Sequence, residues 1–529
     1  MELGTVLITL LACLVSLYWW KAVWRALAQG ARQQQGGLGA DASAGAVIGR
    51  TKAALKLPPG SLGVPWVGES MSFLAAVRAG DPDRFLRDRT ARFGSQTFKT
   101  VIFNQKTVVM QGAAANRFIG ACENKGLLRN AWPPSMLSVV GRGAPVVMHG
   151  AEHRRLRYIL LSCLSPLALH NLVARAHTLT LRHFATCWTQ LQEQGAAQAH
   201  LVPLLNLHTF RLACSLLAHV TDEHLLARLH PHFNAWRAGM LDLPLNFPGT
   251  SYRRARLAGN LLRHQMGCII DRRLEALKSG CSAADINHVD QEEAEDVLSM
   301  LLKAQDQSRG FLSRHETQDV LLFLLFAGHD TTTAALTFAL KYLEQNPAWL
   351  DLVVQEQEAI AGQKKAGERL NWGDVQKMRY TWRVIQETMR LRPPITASMK
   401  EAMVDLVFEG YDIPKGWKVY LSIGRTHCDE KYFSSASTFD PSRFDHELQN
   451  MEGDGPPPFA YVPFGVGPHS CPGNVFARMT MCVYMHVLVC HFKWASLNPD
   501  EKVSIFTFPT LMQGYPATII QKKLPVLLS

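Results

Sequence analysis

The segment FGVGPHSCPG, residues 464–473, constrains the fold of this 529-residue chain more than any other. It sets one cysteine, Cys471, in a loop with three glycines and two prolines. Glycine permits tight turns and close approach to a flat group because it has no Cβ atom, and proline stiffens the turn. Such a loop can present a sulfur to a metal at a fixed distance and angle. The ordinary alternative is a small buried residue, the usual environment of a free cysteine.

The cysteines and the charge exclude several classes of protein. The 11 cysteines are odd in number, scattered and without a CxxC pair, so they predict thiols in a reducing compartment and no disulfide framework. The net charge of +11 comes from dispersed Lys and Arg residues, and no nucleic-acid-binding module is recognisable. A solvated basic surface explains this charge, as does a surface that meets an acidic protein or an anionic membrane.

The N-terminal region predicts a membrane anchor. Residues 3–20 form an uncharged apolar run that is long enough to span a bilayer, ends in a Trp pair and is followed by basic residues. The alternative is a cleavable signal peptide, but Glu2 precedes the run and no small-residue cleavage site follows it. We predict an anchor over 1–27, a flexible tether rich in Gly, Ala and Gln over 28–56, and a folded domain over 57–529.

The folded part has the pattern of a mainly α protein. Helical signals dominate 150–400, as in NLVARAHTLTLRHF, whereas strand-like runs are few. These runs lie near 96–112, near 406–423 and in the C-terminal PATIIQ. Polar loops are predicted over 279–294, 361–373 and 447–458. The expected architecture is one large helical domain with a small β-rich portion and no parallel α/β sheet.

The stretch FAGHDTTT, residues 326–333, places polar residues within a long apolar helical segment that begins near Asp319. One interpretation makes Asp330 the N-cap of a new helix and the threonines its first turn. The other places all of them inside one continuous helix. Because the apolar run continues on both sides, the second interpretation is favoured.

Two further patterns carry charged residues at helical spacing. Glu387 and Arg390 in QETMRLRPP lie three residues apart on one helical face, where an exposed ion pair would contribute little to stability. His153 and Arg157 in GAEHRRLRYILL lie one turn apart. On local grounds His153 is either an ordinary core or surface histidine or a hydrogen-bond donor to a bound anion.

Together with F-x-x-G-x-x-x-C-x-G around Cys471, these patterns resemble those of the cytochrome P-450 haem-thiolate monooxygenases. The resemblance covers nearly the whole chain and implies the mainly helical fold of that family. It implies that Cys471 is the axial thiolate ligand of the iron of haem b (iron protoporphyrin IX), where a thiolate pushes electron density onto the iron. It places Phe464, Gly465 and Gly473 in the cofactor-binding loop. His469 stands where family members usually have an arginine that pairs with a haem propionate.

The resemblance gives the other patterns roles as well. It implies that the FAGHDTTT helix crosses the distal face of the haem and that Thr331 locally opens it near Gly328. Asp330 and Thr331 are then the catalytic acid–alcohol pair that delivers protons. The implied propionate contacts are His153, Arg157 and Lys400, in addition to His469. The implied structural network near the proximal face consists of Glu387, Arg390 and Arg443.

Three segments, GVPWVGES, ENKGLLRNAWPPS and LPLNFPGTSYRRA, resemble the branch that contains plant terpenoid and brassinosteroid oxidases and animal retinoic acid hydroxylases. Substrates across that branch are rigid, apolar isoprenoids. The branch implies an apolar substrate pocket, although an ordinary buried core has the same composition. The expected lining residues are Trp132, Met136, Leu137, Leu243, Phe247, Phe326, Ala327, Ile395, Met399, Leu511 and Met512.

The implied function is a monooxygenase that hydroxylates or oxidises an apolar terpenoid, sterol or retinoid-like compound. It would use O2 and electrons from NADPH-cytochrome P-450 reductase. The implied location is the endoplasmic reticulum membrane, with a single-pass anchor in the lipid and a cytosolic catalytic domain. Two alternatives are a haem-thiolate isomerase or dehydratase and a non-catalytic haem- or lipid-binding protein. The pair Asp330 and Thr331 disfavours both, because neither alternative requires controlled proton delivery.

Overall fold

Helices dominate the part of the chain that the structure, a computed structural model, describes. The described residues are 56–65, 67–189, 198–279, 296–307, 312–445, 456–505 and 508–522. The predicted anchor lies outside them, as do nearly all of the tether and most of the predicted loops 279–294 and 447–458. A compact unit begins at Lys56. The mainly helical fold with a small β portion is confirmed.

The described part of the chain contains 17 α-helices. The first nine are α1 (Ser70–Arg78), α2 (Pro82–Phe93), α3 (Ala113–Asn124), α4 (Pro134–Val140), α5 (Gly150–Cys163), α6 (Pro166–His170), α7 (Leu172–His183), α8 (Leu201–Ala218) and α9 (Glu223–Ala238). The next eight are α10 (Ser251–Ser279), α11 (Val297–Gln307), α12 (Arg314–Gln345), α13 (Pro347–Gly362), α14 (Trp372–Lys377), α15 (Arg379–Leu391), α16 (Ile423–His427) and α17 (Asn474–His491). A π-helical segment, Phe184–Thr189, continues α7, and a 3-10 turn spans Pro441–Phe444.

The longest helix, α12, passes through the centre of the helical domain. It begins at Arg314 because Ser313 and Glu316 form a capping box: the Ser313 hydroxyl accepts from the Glu316 N–H, and the Glu316 carboxylate accepts from the Ser313 N–H at 2.8 Å. The sequence pattern predicted the start of this helical segment five residues later, near Asp319. Helices α8 and α12 are apolar and long enough to cross a membrane, but 67% and 78% of their apolar windows are buried in protein. They therefore form the core.

The strands form small sheets beside the helices. They are β1 (Phe98–Ile102), β2 (Gln105–Gln111), β3 (Leu128–Asn130), β4 (Gln198–His200), β5 (Ala397–Ala402), β6 (Leu406–Phe408), β7 (Tyr411–Ile413), β8 (Lys418–Ser422), β9 (Phe492–Ser496), β10 (Val503–Ser504), β11 (Thr510–Leu511) and β12 (Pro516–Gln521). The largest sheet has the order β1-β2-β8-β5-β3, in which β2 and β8 are parallel and the other pairs antiparallel. A second sheet has the order β4-β12-β9.

The strand-like run near 406–423 is three strands because the chain reverses within it. Glu409 and Gly410 have positive φ angles of 49° and 78° between β6 and β7, and Gly416 has a φ of 82° before β8. Glycine adopts this left-handed region without the steric cost that a Cβ atom brings. The reversal lets β6 and β7 pair with each other, while β8 joins the large sheet between β2 and β5.

A buried ion pair connects α15 to the chain segments that follow it. The Arg390 guanidinium donates to both oxygens of Glu387, at 2.7 and 2.8 Å, and both side chains are fully buried. The same guanidinium donates to the carbonyls of residues 427, 436 and 438. Burial raises the pKa of Glu387, although Arg390 lowers it in part. The third member, Arg443, lies 3.5 Å from the Glu387 carboxylate.

We expect Arg390→Lys to destabilise the folded protein by about 3–5 kcal/mol, because an ammonium has three donors and cannot replace a fork that satisfies five buried acceptors. The matched control is Arg314→Lys, since Arg314 pairs with Asp271 on an exposed surface and such pairs contribute about 1 kcal/mol or less. The measurement is the thermal unfolding midpoint of each variant. Equal midpoints for the two variants would contradict a structural role for Arg390.

Candidate functional site

The loop that carries Cys471 is closed by its own backbone. The Cys471 N–H donates to the Phe464 carbonyl at 2.7 Å. Gly465 and Gly467 turn the loop with φ angles of 75° and 72°. Gly467 also packs directly on α3, since a Cβ atom there would lie only 3.1 Å from the Cα atom of Gly120. The glycines of the motif thus serve two purposes, a tight turn and a close contact with a neighbouring helix.

Cys471 is exposed and has two polar neighbours near its sulfur. Burial among the surrounding residues raises the pKa of the thiol above its usual value, although the Gly473 N–H, 3.3 Å from the sulfur, and the charge of Arg157 partly offset this shift. Arg157 on α5 is fixed to the loop, because its guanidinium donates to the Ser470 carbonyl and, at 2.8 Å, to the Ser470 hydroxyl.

A buried carboxylate that the motifs did not reveal lies beside this loop. Glu123, in the last turn of α3, has one oxygen 2.6 Å from the Lys400 ammonium and 2.8 Å from Nδ1 of His469. Burial raises the pKa of Glu123, but the hydrogen bond from His469 and the charge of Lys400 outweigh burial and leave it below its usual value. Glu123 therefore carries a negative charge between two of the four residues expected to contact a propionate.

His469, at the position where family members usually have an arginine, has neighbours at both ring nitrogens and on one ring face. Nε2 of His469 lies 3.1 Å from the Met148 carbonyl, and Nδ1 faces Glu123, so both ring nitrogens have an acceptor as their neighbour. The ring of His153 stacks on the His469 ring with centroids 3.8 Å apart. Burial, and then the charges of His469 and Arg157, lower the pKa of His153 to about 4, so His153 is neutral.

Lys400 is buried on β5, between β8 and the edge strand β3 of the large sheet. Its ammonium donates to Glu123 and, also at 2.6 Å, to the side-chain carbonyl of Asn130 on β3. Burial lowers its pKa, and Glu123 acts against that shift. Of its three donors, two bind acceptors in the described part of the chain, and the third is left for a further acceptor.

The predicted acid–alcohol pair lies inside α12, which is continuous from Arg314 to Gln345. The Thr331 hydroxyl donates to the Ala327 carbonyl at 2.6 Å, and neither an N-cap nor a local opening occurs within this helix. The prediction that Thr331 opens the helix is wrong, because α12 is continuous through this residue while the hydroxyl is bonded to the Ala327 carbonyl. Gly328 faces Phe476, five residues beyond Cys471, so this part of α12 lies close to the start of α17.

Asp330 is buried and bound to a residue of α9. The Arg237 guanidinium donates to one carboxylate oxygen at 2.9 Å, whereas the other oxygen is buried without a partner among the described residues. Burial raises the pKa of Asp330 to about 6, and Arg237 only partly offsets it. Such a group exists in both protonation states near neutral pH and has one oxygen available to gain or lose a proton.

The neighbouring residue His329 is fixed as a neutral ring. Burial lowers its pKa well below the usual value. Its Nδ1 atom lies 2.8 Å from the Thr209 hydroxyl, and its Nε2 atom lies 3.2 Å from the side-chain amide of Asn206. The Asn206 carbonyl in turn accepts from His230 on α9 at 2.9 Å. These contacts connect α8, α9 and α12 around Asp330.

The predicted pocket residues fall into two groups. Met136, Phe326 and Leu511 are buried in the main core, and Trp132 packs against it. Leu243, Phe247 and Met512 are about two-thirds exposed, at 63%, 65% and 65%. Leu243 and Phe247 do not line a closed cavity, because they lie in a loop after α9 whose residues 245–249 are all exposed. The remaining lining candidates, Leu137, Ala327, Ile395 and Met399, are half-buried or accessible.

A groove of about 490 Å³ adjoins the start of the cysteine loop. Its lining is mainly aromatic and apolar, with two amides and one cation, and includes Trp372, Trp382, Phe464, Val475 and Arg478. The Arg478 guanidinium lies 5.3 Å from the Trp382 ring centre, which is a cation–π contact. This groove adjoins the loop without containing the sulfur.

The residues around Cys471 fit a haem. An accessible thiol with an N–H donor at the sulfur, on a loop whose glycines permit close approach, matches a thiolate ligand. Arg157 and Lys400 provide two cations near the single carboxylate of Glu123, so the cluster has net positive charge for acidic substituents of a cofactor. Sequence reasoning missed Glu123 and Arg237. Glu123 belongs to the ENKGLLRNAWPPS segment, but nothing in the local sequence showed that it would meet His469.

Comparison with known proteins agrees with this geometry. Residues 58–520 match the family model for cytochrome P450. A beta-amyrin 28-monooxygenase of Medicago truncatula is 38% identical over 90% of this chain and 94% of its own length, and one of Vitis vinifera is 38% identical over 88% and 92%. The solved structure of retinoic acid-bound cyanobacterial CYP120A1 superposes with a TM-score of 0.75 at 30% identity, covering 89% of this chain and 100% of the other. This chain belongs to the cytochrome P450 family.

Proposed function

We propose that this enzyme is a monooxygenase that oxidises a triterpenoid or a similarly rigid, apolar isoprenoid, with haem b bound through Cys471. The observation that carries the proposal is the accessible Cys471 thiol, presented by a closed loop whose Gly473 N–H donates to the sulfur. A haem held by Cys471 would supply the redox chemistry of O2 activation, and the thiolate would donate electron density to the iron. The other residues of the site bind the cofactor or handle protons.

The cofactor contacts follow from the cations around the loop. Arg157 is fixed by Ser470, and Lys400 retains one donor beyond those used by Glu123 and Asn130, so both can bind a propionate. Charge-assisted hydrogen bonds of this kind are stronger than neutral ones. The neutral His153, stacked on His469, contributes packing together with one N–H donor. The network of Glu387, Arg390 and Arg443 maintains the fold near the proximal side.

Asp330 and Thr331 are the proposed proton-handling pair. The free oxygen of Asp330 can hold a proton near neutral pH, and Arg237 keeps the carboxylate oriented. The Thr331 hydroxyl can leave the Ala327 carbonyl and donate to an acceptor beside the helix. General acid–base catalysis is most efficient when the pKa lies close to the operating pH, and Asp330 satisfies that condition.

The substrate class rests on the relatives. The beta-amyrin 28-monooxygenases are named for a reaction on beta-amyrin, and their match extends over about nine-tenths of both chains. An apolar lining that includes Met136, Phe326 and Leu511 suits such a ligand, because burial of apolar surface provides most of the affinity for a molecule with few polar groups.

The electron donor and the location complete the proposal. We propose that an NADPH-cytochrome P-450 reductase docks beside the cysteine loop, where Arg478 and the aromatic groove offer a cationic, apolar surface to an acidic partner. The apolar run over 3–20 would anchor the chain in the endoplasmic reticulum membrane, with the catalytic domain cytosolic. The exposed Leu243, Leu245 and Phe247 offer a second, interfacial contact with lipid.

A panel of triterpenes, sterols and retinoids tests the substrate class. We expect a pentacyclic triterpene such as beta-amyrin to shift the spin state of the haem iron in the full-length protein and to be oxidised when reductase and NADPH are supplied. The measurements are the difference spectrum and the product formed. Spin-state shifts and products with retinoids alone would contradict the triterpenoid assignment but leave the monooxygenase class intact.

Cys471→Ser tests the ligand. We expect this variant to lose the carbon monoxide difference spectrum of a thiolate-ligated ferrous haem, because a serine hydroxyl is a much weaker and harder ligand than a thiolate. Cys428→Ser is the matched control, since Cys428 is a half-buried free cysteine outside the loop. A thiolate-type spectrum that survives in Cys471→Ser would show that another residue is the ligand.

Thr331→Ala and Asp330→Asn test the proton-handling pair. Both variants should bind haem and substrate normally and consume NADPH, but form product with about tenfold lower yield per NADPH, because each loses one proton-handling group. Peroxide should account for most of the lost electrons in Thr331→Ala. Thr332→Ala, whose hydroxyl donates to the Gly328 carbonyl in the same way, is the control and should keep the wild-type yield. Equal yields in Thr331→Ala and Thr332→Ala would contradict the assignment.

A further inference from the structure

We propose that Glu123 is a positioning residue of the cysteine loop: its buried carboxylate joins His469 of the loop to Lys400 of the sheet and so fixes where Cys471 is presented. The inference rests on the proposed role of the loop in holding the cofactor, and it adds a residue that the family motifs do not contain. It makes the position of the loop depend on a carboxylate of the protein as well as on the cofactor itself.

The first support is that one carboxylate oxygen contacts two side chains from separate parts of the chain. Lys400 reaches it from β5 at 2.6 Å, and His469 reaches it from the loop at 2.8 Å. Glu123 itself belongs to α3, so three elements meet at one atom. The Gly467 contact brings the loop against the same helix, because a Cβ atom at Gly467 would lie 3.2 Å from the second Glu123 oxygen.

The second support is burial. The side chains of Glu123, Lys400 and His469 are only 2%, 7% and 13% exposed. Removing the partner of a buried charge is strongly destabilising, because the remaining charge is left without compensation in a medium of low polarity. Lys400 would keep only the Asn130 carbonyl, and His469 would keep only the Met148 carbonyl, among the contacts of the described residues. The position of both side chains therefore depends on Glu123.

The third support is the geometry of His469 itself. A histidine ring has only two hydrogen-bonding atoms: Nε2 lies 3.1 Å from the Met148 carbonyl, and Nδ1 lies 2.8 Å from a Glu123 oxygen. The His153 ring covers one of its faces. The His469 ring links the loop to α3 and to the segment before α5, and this linkage exists independently of any contact with a propionate.

The experiment uses Glu123→Gln, His469→Gln and the double variant in the full-length protein. Three quantities are measured: hydrogen–deuterium exchange of a peptide spanning 464–473, the rate of haem transfer to a scavenging apoprotein, and the fraction of thiolate-type carbon monoxide spectrum. In Glu123→Gln we expect haem loss about tenfold faster than in wild type, faster exchange in the loop and a smaller thiolate-type fraction. His469→Gln should produce similar changes.

The double variant distinguishes positioning from general destabilisation. If Glu123 acts through His469, the double variant should lose haem no more than about twofold faster than either single variant, since residues in direct contact are non-additive. Fully additive effects would overturn the proposal. Slower haem loss in Glu123→Gln would also overturn it, because it would show that Glu123 competes with the cofactor for the cations.

Two controls complete the design. Glu69→Gln changes another buried carboxylate, bound by Arg89 at 2.8 Å and Thr100 at 2.6 Å, and should leave haem loss and exchange at 464–473 unchanged. Glu123→Asp keeps the charge and should restore part of the haem retention. If Glu123→Gln does not fold, Glu123→Asp is compared with Glu69→Gln: faster exchange at 464–473 in Glu123→Asp supports the proposal, because the shorter side chain cannot keep both contacts, and equal exchange in the two variants overturns it.

The test of the proposed function is independent of the test of Glu123. A wild-type protein without a thiolate-type spectrum would refute the role of Cys471 in haem binding. The exchange measurement at 464–473 would still decide whether Glu123 positions the loop, because it needs no bound cofactor.

Discussion

The hydrogen bond from the Cys471 N–H to the Phe464 carbonyl closes the loop on which the rest of the site depends. A closed loop alone would still be free to rotate as a unit. Arg157 binds one side of it through Ser470, and Glu123 binds the other through His469. Gly467 permits direct contact with α3. The sulfur therefore has a defined direction relative to α3, α5 and α17, which a metal ligand requires.

The same principle of buried charge recurs at two further points of the molecule. Glu387 and Arg390 connect α15 to three carbonyls of the chain beyond β8, and Arg237 connects α9 to Asp330 on α12. The first pair is fully satisfied and supports the fold. The second leaves one carboxylate oxygen without a partner among the described residues. A buried polar group that is incompletely satisfied is costly, and such groups are concentrated where chemistry takes place.

The family, the helical fold and the loop around Cys471 could be predicted because they depend on short-range sequence patterns. The start of α12 was misplaced because the Ser313–Glu316 capping box lies upstream of the apolar run. The environment of His469 could not be predicted, since its partners Glu123 and Met148 are more than 300 residues away in the chain. Similarly, the exposure of Leu243 and Phe247 depends on a loop whose packing no local pattern specifies.

In α12, threonine hydroxyls donate to backbone carbonyls four residues earlier, and this arrangement has a kinetic consequence. Thr331 must break its hydrogen bond to the Ala327 carbonyl before the hydroxyl can donate elsewhere, and one such bond contributes about 1 kcal/mol net. That is less than twice the thermal energy of about 0.6 kcal/mol, and side-chain rotations of this kind take picoseconds to nanoseconds where they are unhindered. Enzyme turnovers take about a millisecond to a second. The hydroxyl can therefore change partners very many times within one catalytic cycle while the helix backbone remains intact.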